Sequence, residues 1–273
     1  MKKFALALFV LLAACGNQGK EPWLGYGEGE DAFVSAPAPG WVEKVAVHRG
    51  QEVKKGDLLF VLDDTQQRAA RDQAAANLGS IRAQWNENEA SLAYAEKDLT
   101  RQTKLVEANA GTQNALDLSR SNRDQYAARS GQIEAEMKQA EAALADAEYQ
   151  LSQRRIVSLV NGRVEDIYFR AGEYVPPSTP VVSVLPPENV YVRFFVPESE
   201  FGQVHLGETV AIDCDGCAKN LTAKITFIAQ QEEFTPPVIF SIGNREKLVF
   251  KLEARAPGGL KINPGQPVDV HPL

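Results

Sequence analysis

The feature that most limits how this chain can fold is one pattern that occurs twice, 122 residues apart. Gly40-Trp41-Val42, Val45, Val47, Gly50, Val53, Gly56, Leu59 and Leu62 are matched by Gly162-Arg163-Val164, Ile167, Phe169, Gly172, Val175, Ser178, Val181 and Val184. Apolar falls on apolar and glycine on glycine, with Arg163 opposite Trp41 and Ser178 opposite Gly56 as the exceptions. The brief apolar runs predict short β-strands, and Gly50, Gly56 and Gly172 mark tight turns with positive φ. One such half has too little apolar surface to fold alone. Two of them facing one another close a small sandwich.

What separates the halves is helical. No proline lies between Pro39 and Pro176, and residues 65–155 read as helix throughout. Asp64 followed by Gln67 predicts an N-cap with its capping-box partner. Leu78, Trp85, Leu92, Leu99 and Val106 recur every seven residues, with Ala74, Ile81 and Ala95 between them and Asn88 and Gln102 interrupting. On the return, Met137, Leu144 and Leu151 alternate with Ile133, Ala140 and Ala147, a sustained heptad that predicts two supercoiled helices. Gly111 suits a helix C-terminus and Thr112 the start of the next. Two arms of about 44 residues are then about 65 Å long. A turn centred near Gly111 and Thr112 pairs Trp85 with Ala140, Leu92 with Ile133 and Leu99 with Tyr126. Toward the tip the seam turns polar at Gln102, Ser119 and Arg123.

The first residues are a targeting segment. Lys2 and Lys3 precede an apolar stretch, Phe4–Leu12, too short to span a bilayer. Leu12-Ala13-Ala14-Cys15 resembles the lipobox of bacterial lipoproteins, which implies cleavage before Cys15 and lipid modification of its thiol. Loss of the two lysines in residues 1–14 leaves 27 basic against 36 acidic groups, a mature charge of −9. An acidic chain argues against nucleic acid as a partner. No other apolar run is long enough for a spanning helix.

After Leu185-Pro186-Pro187 the chain becomes strand-rich. Val190–Val196, Leu206–Val210, Leu221–Ile228, Leu248–Leu252 and Pro264–Val270 predict a small antiparallel barrel, since closure removes exposed edges. Cys214-Asp215-Gly216-Cys217 falls between two of these strands. A CxxC can serve redox exchange or half a zinc site, but no helix follows to activate a thiol and no second ligand pair exists. A small disulfide stapling a turn is the reading preferred. Gly25-x-Gly-x-Gly29 neither follows a strand nor opens a helix, so it reads as tether rather than phosphate loop. No Walker sequence is present. Asp63-Asp64 reads as a cap rather than an acid–base pair.

The paired half-motifs resemble the biotinyl/lipoyl family, whose carrier members join the halves by a hairpin presenting a cofactor lysine. Here about ninety helical residues replace that hairpin. Half-motif, helical hairpin, half-motif and barrel, together with Glu233-Phe234-Thr235-Pro236-Pro237, Asn244–Phe250 and Pro264-Gly265, resemble the membrane fusion proteins of the HlyD type. The expected fold is a multidomain β plus coiled-coil chain. A lipoyl-like β-sandwich (barrel-sandwich hybrid, 34–64 and 156–186) is interrupted by a long antiparallel α-helical hairpin (65–155) and followed by the barrel (187–273). A signal peptide (1–14) and a lipidated tether (15–33) precede it.

The resemblance implies a non-enzymatic periplasmic adaptor with no cofactor and no metal, lipid-anchored with the inner membrane favoured. Its implied partners are an inner-membrane transporter and a TolC-like outer-membrane channel, and adaptors of this family form homo-oligomeric rings, commonly a hexamer. Arg101, Leu105 and Thr112, spaced Arg-x3-Leu-x6-Thr, are similar to the Arg-x3-Leu-x6-Ser tip by which such adaptors meet the channel. Relatives serving RND pumps add a membrane-proximal domain from both chain ends. About eighteen mature residues before the first half-motif and a barrel closing at Leu273 favour an ABC-type exporter. An RND-pump adaptor, a cofactor carrier and an envelope spacer without transport role are the alternatives.

Overall fold

The computed structural model describes residues 21–234 and 248–273; the predicted lipidation site Cys15 and the segment Thr235–Pro237 with Asn244–Lys247 lie outside the described residues. Five strands come first: β1 (Trp23–Gly29), β2 (Ala32–Ser35), β3 (Gly40–Val45), β4 (Glu52–Val53) and β5 (Leu58–Leu62). The long helices α1 (Thr65–Glu107) and α2 (Gln113–Ser152) follow. Then come β6 (Arg155–Val157), β7 (Gly162–Ile167), β8 (Tyr174–Val175) and β9 (Pro180–Leu185). The order is completed by β10 (Val190–Pro197), the single turn α3 (Glu198–Phe201), β11 (Thr209–Asp213), β12 (Leu221–Phe234), β13 (Leu248–Arg255) and β14 (Pro267–Pro272). Two compact units result, one built on Phe33–Leu159 with Asp166–Ser183, the other on residues 21–32, Val160–Glu165 and Val184–Leu273.

The repeat is a structural repeat. Adding 122 to the bounds of β3 (40–45) and β4 (52–53) gives those of β7 (162–167) and β8 (174–175). The sheets have the orders β6-β5-β3-β8 and β2-β9-β7-β4, so each takes both of its edge strands from the other half. That exchange is why neither half is complete alone. Backbone hydrogen bonds repeat with the same offset: Ala46 N–H to Leu59 O and Tyr168 N–H to Val181 O, both 2.8 Å. Ser158 N–H to Asp57 O and Ala36 N–H to Thr179 O are a second such pair, extending the repeat upstream of Gly40 to Ala36. Gly56 has φ 98°, and its non-glycine mate Ser178 takes the same left-handed region at φ 60°. A serine there costs roughly 1–2 kcal/mol, and the fold holds it because its amide is bonded to Ala36 O at 3.0 Å.

The other unit is a closed six-stranded barrel of order β1-β10-β13-β12-β11-β14. Val192, Phe194, Ile212, Ile225, Leu252 and Val270 alternate inward and are buried. The expectation of a tether over 15–33 is corrected for its described part: residues 23–29 are a barrel strand, paired with β10 (Gly25↔Phe194) and β14 (Trp23↔Val270). The glycines serve close approach rather than flexibility. A Cβ on Gly25 would lie 2.5 Å from Arg193 O, and one on Gly27 2.6 Å from Asn263 O. The outer face of this seam is riveted by charge. Arg193 donates to Glu28 Oε1 (2.6 Å) and Glu253 Oε1 (2.9 Å), Tyr191 Oη donates to Glu28 Oε2 (2.6 Å), and Arg255 lies 4.1 Å over the Tyr191 ring.

Replacing Gly25 with Val should therefore destabilise the barrel by about 1–3 kcal/mol, the cost of overpacking a site with no room. Denaturant unfolding of the whole chain reads this directly; a tether residue would leave the midpoint where it was.

Candidate functional site

The element that marks this chain functionally is the hairpin, and its root comes first. Asp63 Oδ1 accepts from Thr65 N (3.0 Å) and Thr65 Oγ1 (2.6 Å), closing a local side-chain turn that starts α1. Asp64 occupies the N-cap position, but at φ −114°, ψ 8° its carboxylate makes no cap hydrogen bond. An N-cap side chain reaches the first amides from an extended backbone. Asp64 instead accepts a forked pair from Arg68, Nε at 2.6 Å and a terminal nitrogen at 2.8 Å. The expected capping box with Gln67 is corrected accordingly. On the return, Arg154 donates to Pro39 O (2.8 Å) and its carbonyl accepts from Leu62 N (2.9 Å), which ties α2 to the sandwich.

Along the seam Leu78, Ala95, Leu116, Ile133 and Ala140 are buried, with Asn88 and Ser119 as polar members. Asn88 Nδ2 donates to Ser130 Oγ (2.8 Å) and Tyr126 O (3.1 Å), and Ser119 Oγ donates to Asp98 Oδ2 (2.7 Å). The expected register would have set Asn88 opposite Met137 and Asp98 opposite Ala127. The helices are thus slipped by one heptad from that expectation, which carries Ala140 to the level of Leu78 and Ile133 to that of Trp85. A heptad pattern is unchanged by a slip of seven, so the apolar seam alone does not select between the two.

At the tip α1 ends at Glu107 with Ala108 as its C-cap, and Asn109 just beyond takes φ 55°, while Ala110 N–H bonds Leu105 O at 2.8 Å. The left-handed C-terminal residue is Asn109 rather than the expected Gly111. Gly111 contributes closeness instead: a Cβ there would sit 3.1 Å from Leu105 Cβ. Thr112 Oγ1 accepts from Ala115 N (3.3 Å) and caps α2. Arg101 pairs with Asp98, the carboxylate that also binds Ser119 across the seam. Leu105 is 37% exposed. The structure therefore brings Leu105 and the Gly111-Thr112 turn together and holds Arg101 through Asp98. Sequence reasoning missed Leu118, 61% exposed one turn into α2; an apolar residue off the heptad seam was its signal.

Cys214 and Cys217 are joined by a disulfide with Cα atoms 5.4 Å apart, in a turn where Gly216 has φ 80°. Gln266 Nε2 donates to Asp215 O (3.0 Å) beside it. Among the described residues no group of three or more His, Cys, Asp or Glu side chains is placed to hold a metal, and no helix is long and apolar enough to cross a membrane.

Residues 77–154 match the family model of the RND membrane fusion protein alpha-helical hairpin domain. Among solved structures, MacA from Actinobacillus actinomycetemcomitans superposes with a TM-score of 0.66 at 22% identity, over 92% of this chain and 78% of that one. The fold is that of the membrane fusion proteins. The membrane fusion protein Spr0693 from Streptococcus pneumoniae shares it, with a TM-score of 0.56 at 16% identity over 92% of this chain and 97% of that one. In sequence, a UPF0194 membrane protein of Acidithiobacillus ferridurans is 28% identical over 99% of this chain and 95% of the relative. A UPF0194 membrane protein of Yersinia enterocolitica is 27% identical over 91% of this chain and 90% of the relative. The matched residues 77–154 include the whole tip described above.

The root of that hairpin should be sensitive to acid. The forked hydrogen bonds from Arg68 hold the Asp64 carboxyl below its ordinary value of 3.8. A depressed folded-state value means a stabilisation that is complete above the ordinary value and lost as pH falls through the folded one. Asp64→Asn should lower the melting temperature at pH 7, and the gap from the unaltered chain should narrow progressively as the buffer is taken below pH 3.8.

Proposed function

We propose that this protein is a non-enzymatic periplasmic adaptor of a tripartite export system. It links an inner-membrane transporter to a TolC-like outer-membrane channel, and several copies form a ring around the conduit, with a hexamer as the expected number. The observation that carries the reading is the hairpin: helices of 43 and 40 residues, about 60–65 Å long, end in an exposed Leu105. Arg101, Leu105 and Thr112 are the proposed channel contacts. Cys15 is the proposed lipid anchor, which leaves the mature protein in the periplasm against the inner membrane. The cysteine-stapled turn is structural in this reading. An ABC-type transporter is the preferred inner-membrane partner on the sequence resemblance. The match of residues 77–154 to an RND-type hairpin supports a second reading, in which the transporter is an RND pump.

Leu105→Ser and Arg101→Ala, introduced into a strain lacking the chromosomal copy, should leave export at the level of the deletion. An exposed ion pair such as Arg101 with Asp98 contributes under about 1 kcal/mol, so the purified variants should still melt cooperatively and close to the unaltered chain. Full export by both variants would remove the tip from the contact. Cross-linking from the barrel in cells, with mass spectrometry of the captured membrane protein, distinguishes an ATP-driven permease from an RND pump. Capture of neither would overturn the adaptor reading.

A further inference from the structure

The loops that join β3 to β4 and β7 to β8 are mates in the internal repeat, and a cleft of about 530 Å³ lies between them. Its floor is apolar, formed by Val45, Val47 and Ile167. Val45 and Ile167 are mates under the 122-residue offset, as are His48 and Arg170 at the rim, so the cleft lies across the internal two-fold of the sandwich. Lys44 and Arg49 complete a basic rim on an otherwise acidic chain of net charge −7. Arg49 is held in place by Asp166, its Nε 2.7 Å from Oδ1. His48 Nδ1 lies 2.6 Å from Gln51 Oε1, which leaves Nε2 facing away from that bond. Lys44 and Arg170 are exposed, and among the described residues neither side chain has an ion-pair partner. The acidic groups close by are accounted for in part: Asp166 is engaged by Arg49, and Glu173 accepts from the Arg170 backbone amide at 2.9 Å. Glu43 is the one carboxylate among the residues that line the cleft itself.

Two unpaired cations above an apolar floor ask for a ligand with both characters. A small hydrated anion gains little from Val45, Val47 and Ile167, and an uncharged apolar molecule leaves the rim unused. We propose that this cleft binds an anionic amphiphile, its carboxylate or phosphate group between Lys44 and Arg170 and its alkyl portion on the valine–isoleucine floor. The inference goes beyond the adaptor reading and is tested without reference to export, so either can fail alone.

Calorimetric titration of the full chain with dodecyl phosphate, kept below its micelle concentration, reads the site. Dodecyl phosphate should bind about tenfold or more tightly than inorganic phosphate and than dodecyl maltoside. Lys44→Glu combined with Arg170→Glu should weaken it by at least about tenfold, while the circular dichroism spectrum stays that of the unaltered chain. Ala171→Trp fills the cleft without changing charge and should give a similar loss; it keeps the test open should the double reversal fold poorly. Equal binding of dodecyl maltoside would show that the rim is not read. Equal binding of inorganic phosphate would show that the floor is not used. Undiminished binding by the charge reversal and by Ala171→Trp would place the ligand elsewhere. Any of the three overturns the proposal.

Discussion

The hairpin depends on the antiparallel pairing of β5 with β6. β5 runs into α1 and α2 runs into β6, so the two chains that enter the hairpin are neighbours in one sheet, with Leu58 opposite Val157 and Val61 opposite Arg155. Paired strands lie about 4.8 Å apart, whereas packed helices need about 8–10 Å between axes. The chain must splay by several ångströms within a few residues on each side. Asp63 and Asp64 do this on the way out, one turning the backbone through Thr65 and the other fastening the first helical turn through Arg68. On the way back Arg154 does it by reaching across to Pro39 O. The root is therefore a transition between two spacings, held by short polar contacts rather than by apolar packing.

From that root the seam runs to the tip under a second constraint. Its apolar residues are tolerant of position, and its polar ones are not. Asn88 is buried with its amide nitrogen satisfied by Ser130 and Tyr126, and Ser119 meets Asp98. Sliding the helices by a heptad toward the register of Trp85 on Ala140 would set Asn88 against Met137 and Asp98 against Ala127, leaving their hydrogen bonds unmade at a cost of roughly 1–3 kcal/mol each. The polar layers thus agree with the strand pairing at the base and with the Asn109 turn at the apex. The same agreement fixes how far Leu105 stands from the root.

Much of this was legible in the sequence, and the parts that were not share physical causes. The two half-motifs were readable because glycine and β-branched positions recur at one offset, and the helices because a heptad sustained over some forty residues has few other uses. The register was not readable from hydrophobicity, since a slip of seven preserves it. Strand β1 was hidden because Gly25, Gly27 and Gly29 remove the side chains on which alternation is judged; their meaning lies in the neighbouring Arg193 and Asn263 carbonyls, far away in sequence. Asp64 was misassigned because cap preference presumes an extended backbone, and here Arg68 offers its carboxylate a stronger partner. At the tip, the spacing of Leu105 and Thr112 anticipated their place at the apex, but the link from Arg101 through Asp98 to Ser119 joins two helices and has no local signature.

The repeat also explains how one small sandwich serves two different segments. In the first half the chain leaves β5 into the hairpin; in the second, the equivalent position after β9 leads into the barrel strands. Equivalent exits lead to unrelated continuations because the sandwich needs from each half only its four strands and its turns. The exchange of β2 and β4 for β6 and β8 then makes each sheet a composite, so a substitution in one half is felt in both. The cleft between the two repeated loops is the clearest instance: an apolar pair related by the repeat, Val45 and Ile167, supports a rim where His48 and Arg170 carry on the symmetry but Lys44 and its mate Asp166 break it. The repeat builds the hollow, and the residues that differ between its two loops give it a sign.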